Sequence, residues 1–307
     1  MATVKKEAYY RSDNGVNMIR ALIWQNDEIS PVGAVQLVHG VSEHIGRYDE
    51  FARFLADSGY IVFGNDHIGH GKSVNSPDEL GKCPPDGHVT MLRDMNTLYR
   101  IMHRRFPDLP YIIFGHSMGS LLARVYAATF ASDLSGAVFC GTAHFPSEII
   151  AFEDAVKAVL GKLPESAGNV DVFGKITKLM LKENDDLSWL SRSTENIERH
   201  KEDPLCGAPC SPGMNNVLYN LAVRACSPWA LSALPAGFPV LIISGAKDPV
   251  GFFGKGVMDF ADALTANGLD PEVYLYPGLR HEILNEDERA KVWFDILNFL
   301  NRVTSHE

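Results

Sequence analysis

Residues 111–125 read YIIFGHSMGSLLARV, and this stretch decides the fold. The apolar run at its start is typical of a buried strand, and the apolar residues at its end are typical of a helix. Between them lies GHSMG, which matches the pattern G-x-S-x-G for a serine on a sharp turn from strand to helix. The glycines leave room for this turn, and backbone N–H groups at the helix start favour a developing oxyanion. The stretch therefore predicts Ser117 as a catalytic nucleophile.

Short apolar runs of the same kind recur on both sides of the serine. Such runs suit strands buried on both faces of a parallel sheet, and helical spacing of apolar residues lies between them. Strand and helix thus alternate, which indicates right-handed βαβ units. The runs lie at 34–38, 60–63, 111–114, 137–140, 240–243 and 273–276, and the helical patterns lie at 48–58, 91–105, 117–130 and 292–303.

The N-terminal pattern differs from the rest. Strand-like residues 7–11 and 17–24 flank Asp13-Asn14-Gly15, which is a strong signal for an antiparallel hairpin. We therefore predict an α/β fold with a mostly parallel, twisted sheet that is flanked by helices.

The stretch 146–235 interrupts the alternation, since it holds no convincing buried strand. Helical patterns at 152–163, 172–181 and 214–224 are joined there by links rich in Gly and Pro. A helical insertion between two strands suggests a lid, because ligands of open α/β sheets bind outside the carboxyl ends of the strands. The predicted organisation has three parts: a first core segment at 1–145, a helical lid or cap at 146–235, and a second core segment at 236–307.

A nucleophilic serine needs a general base, and the base needs a residue that orients it. With this type of elbow the chain order is Ser, then Asp or Glu, then His. Asp248 follows the apolar run at 240–243, and His281 follows the run at 273–276. Both lie past strand ends, so we predict that they meet Ser117 at one edge of the sheet. Glu282 is the alternative carboxylate, but a neighbour in sequence rarely has the geometry to orient an imidazole.

An oxyanion hole in such a site uses two backbone donors. One is the N–H of Met118, the residue after the nucleophile. The other comes from the loop after the strand that ends at Val38, and we assign it to Val41.

Composition excludes some classes of protein. The net charge is −10 and no basic run stands out, so a nucleic-acid partner is not expected. No stretch approaches the roughly 20 apolar residues of a membrane-spanning helix, and no apolar stretch follows the N-terminus as in a secretory signal. Five cysteines in 307 residues indicate free thiols in a reducing compartment, which predicts a cytoplasmic location.

Neither a metal nor another cofactor is expected. Cys206 and Cys210 are spaced C-x-x-x-C, but no second pair at zinc spacing follows. Four further histidines fall in turns after predicted strands and lack the H-E-x-x-H pattern of zinc sites: His39, His44, His67 and His70.

Four segments together resemble the monoglyceride lipase and lysophospholipase branch of the α/β-hydrolases. They are HGVSEHIGRY at 39–48, DHIGHGKS at 66–73, GHSMG at 115–119 and YPGLRHEIL at 276–284. WLSR at 189–192 and DPLC at 203–206 are similar to bacterial members of that branch.

The resemblance implies the α/β-hydrolase fold and ester hydrolysis through an acyl-serine without a cofactor. It also implies an apolar acyl tunnel under the lid and a small lipid ester as substrate. By analogy, Glu43 and Arg47 lie near the polar end of the substrate. Animal monoglyceride lipases carry a second histidine where this chain has Leu284.

Several readings of the function stay open. The first is an esterase for monoacylglycerols, and close to it are a lysophospholipase and a general carboxylesterase. A proline-type aminopeptidase shares the elbow and would need acidic lid residues to hold a free amine. A non-catalytic binding protein of the same fold commonly lacks a member of the triad. Weak peripheral contact of the lid with a membrane is compatible with the sequence, and the oligomeric state is not predicted. The acidic lid residues are Glu153, Asp154, Glu183, Asp185 and Asp186.

Overall fold

The structure, a computed structural model, describes residues 3–145 and 187–305. Within these residues one sheet of eight strands forms the frame of the molecule. The strands are β1 (Thr3–Arg11), β2 (Met18–Asn26), β3 (Gly33–Val38), β4 (Tyr60–Asn65), β5 (Tyr111–His116), β6 (Gly136–Cys140), β7 (Val240–Gly245) and β8 (Glu272–Tyr276).

The sheet is mostly parallel, as the sequence predicts. Its strand order is β1-β2-β4-β3-β5-β6-β7-β8, and only the pairs β1–β2 and β2–β4 are antiparallel. Strands β3 to β7 are buried along their whole length, which explains their nearly continuous apolar sequences. Each predicted run corresponds to one strand, with ends that differ by at most two residues.

The predicted hairpin joins β1 and β2. Ser12 donates its N–H to the carbonyl of Asn17 at 2.9 Å, and Gly15 closes the turn with a φ of +70°. Strand β1 begins four residues earlier than the sequence indicates. Its first residues, TVKKE, are half-buried or exposed at the sheet edge, so they carry no apolar run that would reveal a strand.

Helices cover both faces of the sheet. Helices α1 and α8 pack on one face, through Phe51, Leu55, Ile296 and Leu300. Helices α2, α3 and α7 pack on the other, where Met95, Leu122 and Phe260 lie. In the described residues the helices are α1 (Asp49–Asp57), α2 (Gly87–Arg105), α3 (Met118–Phe130), α4 (Thr194–Glu202), α5 (Pro212–Ala225), α6 (Pro228–Ser232), α7 (Lys255–Thr265) and α8 (Arg289–Thr304).

The insertion between β6 and β7 is helical where it is described. It contains α4, α5 and α6, of which the sequence predicts only α5. The predicted helices at 152–163 and 172–181 lie outside the described residues. Among the residues that are described, no helix is long and apolar enough to cross a membrane.

Candidate active site

Ser117 lies between β5 and α3 on a strained turn. Its φ of 56° and ψ of −124° place it in a backbone region that residues with a side chain rarely adopt. The flanking glycines are required by close backbone contacts. A Cβ on Gly119 would lie 2.1 Å from the carbonyl oxygen of Val38, and one on Gly115 would lie 2.2 Å from the carbonyl oxygen of Gly119. The strand–turn–helix context that the motif demands is therefore present.

His281 and Asp248 form a buried pair at the carboxyl ends of β8 and β7. The imidazole Nδ1 and the carboxylate Oδ2 are 2.9 Å apart, and both side chains are almost fully buried. Asp248 also accepts from the Ser244 hydroxyl at 3.1 Å and from the Val250 N–H at 2.8 Å. Because a carboxylate can only accept, Nδ1 carries the proton and Nε2 keeps its lone pair. Nε2 is buried and has no hydrogen-bond partner among the described residues.

His281 lies next to the turn that carries Ser117. The His116 ring, one residue before Ser117, lies 4.7 Å from the His281 ring, and its Nε2 is 3.3 Å from the His281 carbonyl oxygen. Gly141 makes this approach possible, since a Cβ there would lie within 3.2 Å of both rings. Sequence reasoning did not identify Gly141.

The loop after β3 runs against Ser117. A Cβ on Gly40 would lie 3.1 Å from the Ser117 Cβ. Within residues 3–145 and 187–305, neither the Val41 N–H nor the Met118 N–H has a hydrogen-bond acceptor. Two unpaired backbone donors beside the serine are what an oxyanion hole requires.

Glu43 and Arg47 lie in a buried charge network. Glu43 accepts from the Gly40 N–H at 2.6 Å and from Arg47 Nη1 at 3.2 Å. Arg47 also donates to both carboxylate oxygens of Glu282, at 2.8 Å for Nη2 to Oε2, and to the Asn196 side-chain oxygen at 3.1 Å. The Arg47 guanidinium is thus bound by side chains of the protein itself. Contact of Glu43 and Arg47 with the substrate stays a prediction.

Charge in this network shifts several pKa values. Burial would raise the pKa of Glu282, but the Arg47 charge and hydrogen bonds from Arg47 and Asn196 outweigh it and lower the pKa to about 2. Burial opposes ionisation of Glu43 as well, yet His116 and Arg47 hold its pKa well below the usual range. The pKa of His116 is raised, because attraction to Glu43 exceeds the effect of burial. The network therefore keeps both carboxylates charged at neutral pH.

Glu282 is thus not the carboxylate that orients the base. It contacts Arg47 and accepts from Asn196 Nδ2 at 2.7 Å, whereas Asp248 contacts His281. Asn196 belongs to α4 in the insertion, so the network joins the insertion to the loop of the base.

The carboxylate of Glu286, whose role the sequence did not indicate, holds the loop that carries His281. Glu286 is fully buried and accepts from the backbone N–H groups of Arg280, Arg192 and Ser193. The Trp189 ring lies 5.1 Å from the His281 ring. The stretch 189–193 therefore packs directly onto the base.

One group of side chains among the described residues has atoms close enough for a metal. Atoms of His44, Asp203 and Cys206 lie within 4.8 Å of one another. The arrangement suits a hydrogen bond better than an ion. His44 Nδ1 accepts from the Gly46 N–H at 3.1 Å, so Nε2 carries the proton towards Asp203 at 2.8 Å. Burial also raises the pKa of the Cys206 thiol, which disfavours the thiolate that a metal binds.

Comparison with known proteins identifies relatives of this chain. The family model described as serine aminopeptidase, S33, matches residues 29–288. A monoacylglycerol lipase of Mycolicibacterium smegmatis is 30% identical over 304 residues, covering 98% of this chain and 98% of its own. The monoglyceride lipase of Homo sapiens is 28% identical over 263 residues, covering 84% of this chain and 78% of its own.

A solved structure of high similarity is a highly thermostable carboxyl esterase from Bacillus coagulans in complex with glycerol. Its TM-score is 0.85 at 31% sequence identity, with 99% of this chain and 100% of that chain covered. The likeness therefore extends over the core and the described part of the insertion.

Proposed function

The chain belongs to the serine aminopeptidase S33 family of α/β-hydrolases, and we propose that it is a serine esterase that cleaves monoacylglycerols and related lipid esters through an acyl-serine intermediate. Two observations support the proposal most: the buried His281–Asp248 pair leaves Nε2 without a hydrogen-bond partner among the described residues, and the His281 ring lies against His116, which adjoins the strained Ser117. The relatives' names, monoacylglycerol lipase and carboxyl esterase, support the choice of ester substrates.

The proposed reaction assigns one role to each group. His281 Nε2 takes the hydroxyl proton of Ser117 while Oγ attacks the ester carbonyl carbon. Asp248 keeps the proton on Nδ1 and stabilises the imidazolium that forms. The N–H groups of Val41 and Met118 donate to the oxyanion. The imidazolium then gives its proton to the leaving alcohol, and water activated by the same histidine hydrolyses the acyl-serine.

On the alcohol side we propose a tolerant site. Leu284, which stands where animal monoglyceride lipases carry a second histidine, is buried in the apolar cluster under α8 and offers no polar contact. We therefore expect monoacylglycerols to be accepted without strong preference over other esters of the same acyl chain. Lysophospholipids are included in that expectation.

The test combines a covalent probe with a substrate panel. A fluorophosphonate should label the wild type at Ser117, and Ser117→Ala should lose both the label and about 10⁴–10⁶ of kcat. Ser132→Ala, at an exposed serine after α3, is the matched control and should keep both. A Ser117→Ala variant that retains a tenth of the activity would refute the nucleophile. Absence of labelling in the wild type would instead favour a non-catalytic binding protein.

Substrate class is tested by kcat/KM for glyceryl and ethyl esters over a series of acyl-chain lengths. An apolar acyl site gains about 0.8 kcal/mol for each buried methylene, so kcat/KM should rise several-fold for each added pair of carbons. A steep optimum at acetate would contradict the lipid-ester proposal while leaving the serine chemistry intact.

A serine aminopeptidase is the second candidate, because the matched family model is described by that activity. That activity needs acidic side chains near the substrate amine, and the acidic residues suggested for it lie at 153–186, outside the described residues. Proline amides therefore belong in the panel. Good turnover of these amides with none of esters would select the aminopeptidase.

A further inference from the structure

Arg124, on the second turn of α3, is a buried cation without a carboxylate. Its side chain is only 3% exposed, and in the described part of the chain no aspartate or glutamate pairs with it. Its guanidinium donates to the carbonyl oxygens of Ala143 at 2.8 Å and Ala225 at 2.6 Å. It also stacks on the Phe260 ring with Cζ 3.7 Å from the ring centroid. Its Nε has no acceptor in the described ranges.

A buried charge of this kind calls for a counter-charge, because removal from water is costly unless an opposite charge compensates for it. The acidic group that Arg124 contacts is the thiol of Cys226, whose Sγ lies 3.7 Å from Nη2. Carbonyl oxygens and an aromatic face solvate the guanidinium but do not neutralise it. A thiolate at Cys226 would neutralise the charge of the guanidinium.

Cys226 is surrounded by donors rather than acceptors. The Phe145 N–H points at Sγ from 3.4 Å. Two donors, this N–H and Arg124 Nη2, converge on one sulfur, and a charged sulfur accepts hydrogen bonds far better than a neutral thiol does. The neighbouring helix α6 carries no titratable side chain. Asp259 of α7 is paired with Lys255 at 2.6 Å.

We propose that Cys226 is held as a thiolate by Arg124 and the Phe145 N–H, and is a covalent modification site for soft electrophiles and peroxides. The residue is half-buried at the end of α5, which leaves part of it in contact with solvent. Arg124 binds one carbonyl of the core, at Ala143 after β6, and one of the insertion, at Ala225. The site therefore lies where the insertion joins the core.

The chemistry at this site balances without a further cofactor. With iodoacetamide, the sulfur attacks the methylene carbon, an S–C bond forms, and iodide leaves. With hydrogen peroxide as the oxidant, the sulfur attacks one oxygen, an S–O bond forms, and the O–O bond breaks. Hydroxide leaves and the cysteine becomes a sulfenic acid.

The pKa values agree with this geometry. Burial would raise the pKa of Cys226, but the Arg124 charge, the nearby His144 ring and the Phe145 N–H lower it to about 7. Burial raises the pKa of Cys83 to about 12 and raises the pKa of Cys140 well above its usual range. At neutral pH, labelling should therefore select Cys226 over these two thiols.

The test is iodoacetamide labelling of the native protein over a pH series, with each cysteine quantified by peptide mass spectrometry. The labelling rate of Cys226 should rise with pH to a midpoint near 7. Arg124→Gln should move the midpoint towards that of an ordinary thiol, about 8.5, where the thiolate fraction at neutral pH is about fifteenfold lower. Arg100→Gln, at an exposed arginine of α2, is the control and should leave the midpoint unchanged. Peroxide followed by dimedone should trap a sulfenic acid in the wild type and none in Cys226→Ser.

Several results would overturn the proposal. A midpoint at or above that of an ordinary thiol would do so, as would labelling at neutral pH no faster than that of Cys83. An unchanged midpoint in a folded Arg124→Gln variant would also contradict the assignment. If Arg124→Gln does not fold, the midpoint of the wild type decides, because it is measured on the native protein.

Discussion

Glu282→Gln tests whether the buried charge network holds the catalytic loops in place. Glu282 follows the proposed base, and Arg47 links it to Glu43, which accepts from the N–H of Gly40 in the loop of the proposed oxyanion hole. The substitution keeps the shape of the side chain and removes its charge. It therefore leaves the Arg47 cation with one carboxylate instead of two.

The structure gives two estimates of the cost in unfolding free energy. A pKa of about 2 in place of the ordinary 4.5 corresponds to about 3 kcal/mol at neutral pH, because a tenfold change in proton affinity is worth about 1.4 kcal/mol. Removing one partner of a buried ion pair typically costs about 3–5 kcal/mol. We expect about 3 kcal/mol for Glu282→Gln and somewhat more for Arg47→Met, which removes the cation that two buried carboxylates share.

The sign of the pH dependence follows from the lowered pKa of Glu282. Its contribution to stability is fully present above the ordinary value of 4.5 and is lost as pH falls towards about 2. The difference between wild type and Glu282→Gln should therefore shrink on acidification. Urea unfolding over a pH series measures this difference. The wild type, Glu282→Gln, Arg47→Met and the double variant together form a double-mutant cycle. Lys255→Met, which removes an exposed pair with Asp259, is the control and should cost at most about 0.5 kcal/mol.

Two results would refute this reasoning. The first is a cost below about 1 kcal/mol for Glu282→Gln, which is the range of exposed pairs. The second is simple additivity with Arg47→Met, because groups in one network should couple. Activity adds a separate readout. If Arg47 holds loops, Arg47→Met should lower kcat/KM by one factor for glyceryl and ethyl esters alike, whereas a larger loss with the glyceryl ester would indicate contact with the head group.

Three further predictions use other parts of the molecule. Asp248→Asn should fold normally and lose about 10⁴ of kcat, because the imidazole would favour the wrong tautomer; near-normal kcat would reject Asp248 as the orienting residue. Burial raises the pKa of Asp94 from 3.8 to about 6, so its ionisation should destabilise the wild type by about 3 kcal/mol as pH rises across that interval. Urea unfolding should show this loss in the wild type and not in Asp94→Asn, and parallel pH profiles would contradict it. Gly119→Ala should reduce both stability and kcat, because its Cβ would lie 2.1 Å from the Val38 carbonyl oxygen; an unchanged melting temperature would be inconsistent with that contact.

The sequence predicted the frame of the fold well because the sheet is buried on both faces. Strands such as β5 and β7 are apolar throughout, and each ends at a turn that contains glycine. The candidate triad could be named for a related reason. Ser117, Asp248 and His281 each follow a strand directly, so strand order alone places them at one edge.

The parts that sequence reasoning missed depend on contacts between distant segments. Glu286 accepts from the N–H groups of two residues that lie 94 and 93 positions away, and no local pattern indicates that role. The sequence allowed Glu282 to be discounted as the orienting residue only because it adjoins His281, and its pairing with Arg47 was not visible there. Helix α7 was missed although Val257, Phe260, Ala261 and Leu264 repeat at helical spacing and are buried. That signal was present in the sequence.

Arg47 shows why the site and the stability of this chain should be coupled. Its guanidinium contacts Glu43 beside the proposed oxyanion hole, Glu282 beside the base, and Asn196 of the insertion. These segments are far apart in sequence, and chain order does not restrain them against each other. A rigid planar donor that contacts all three can fix their relative positions where flexible apolar contacts cannot. A loss of this cation should therefore release the base, the oxyanion loop and the insertion together, so that activity and the unfolding free energy decline in parallel.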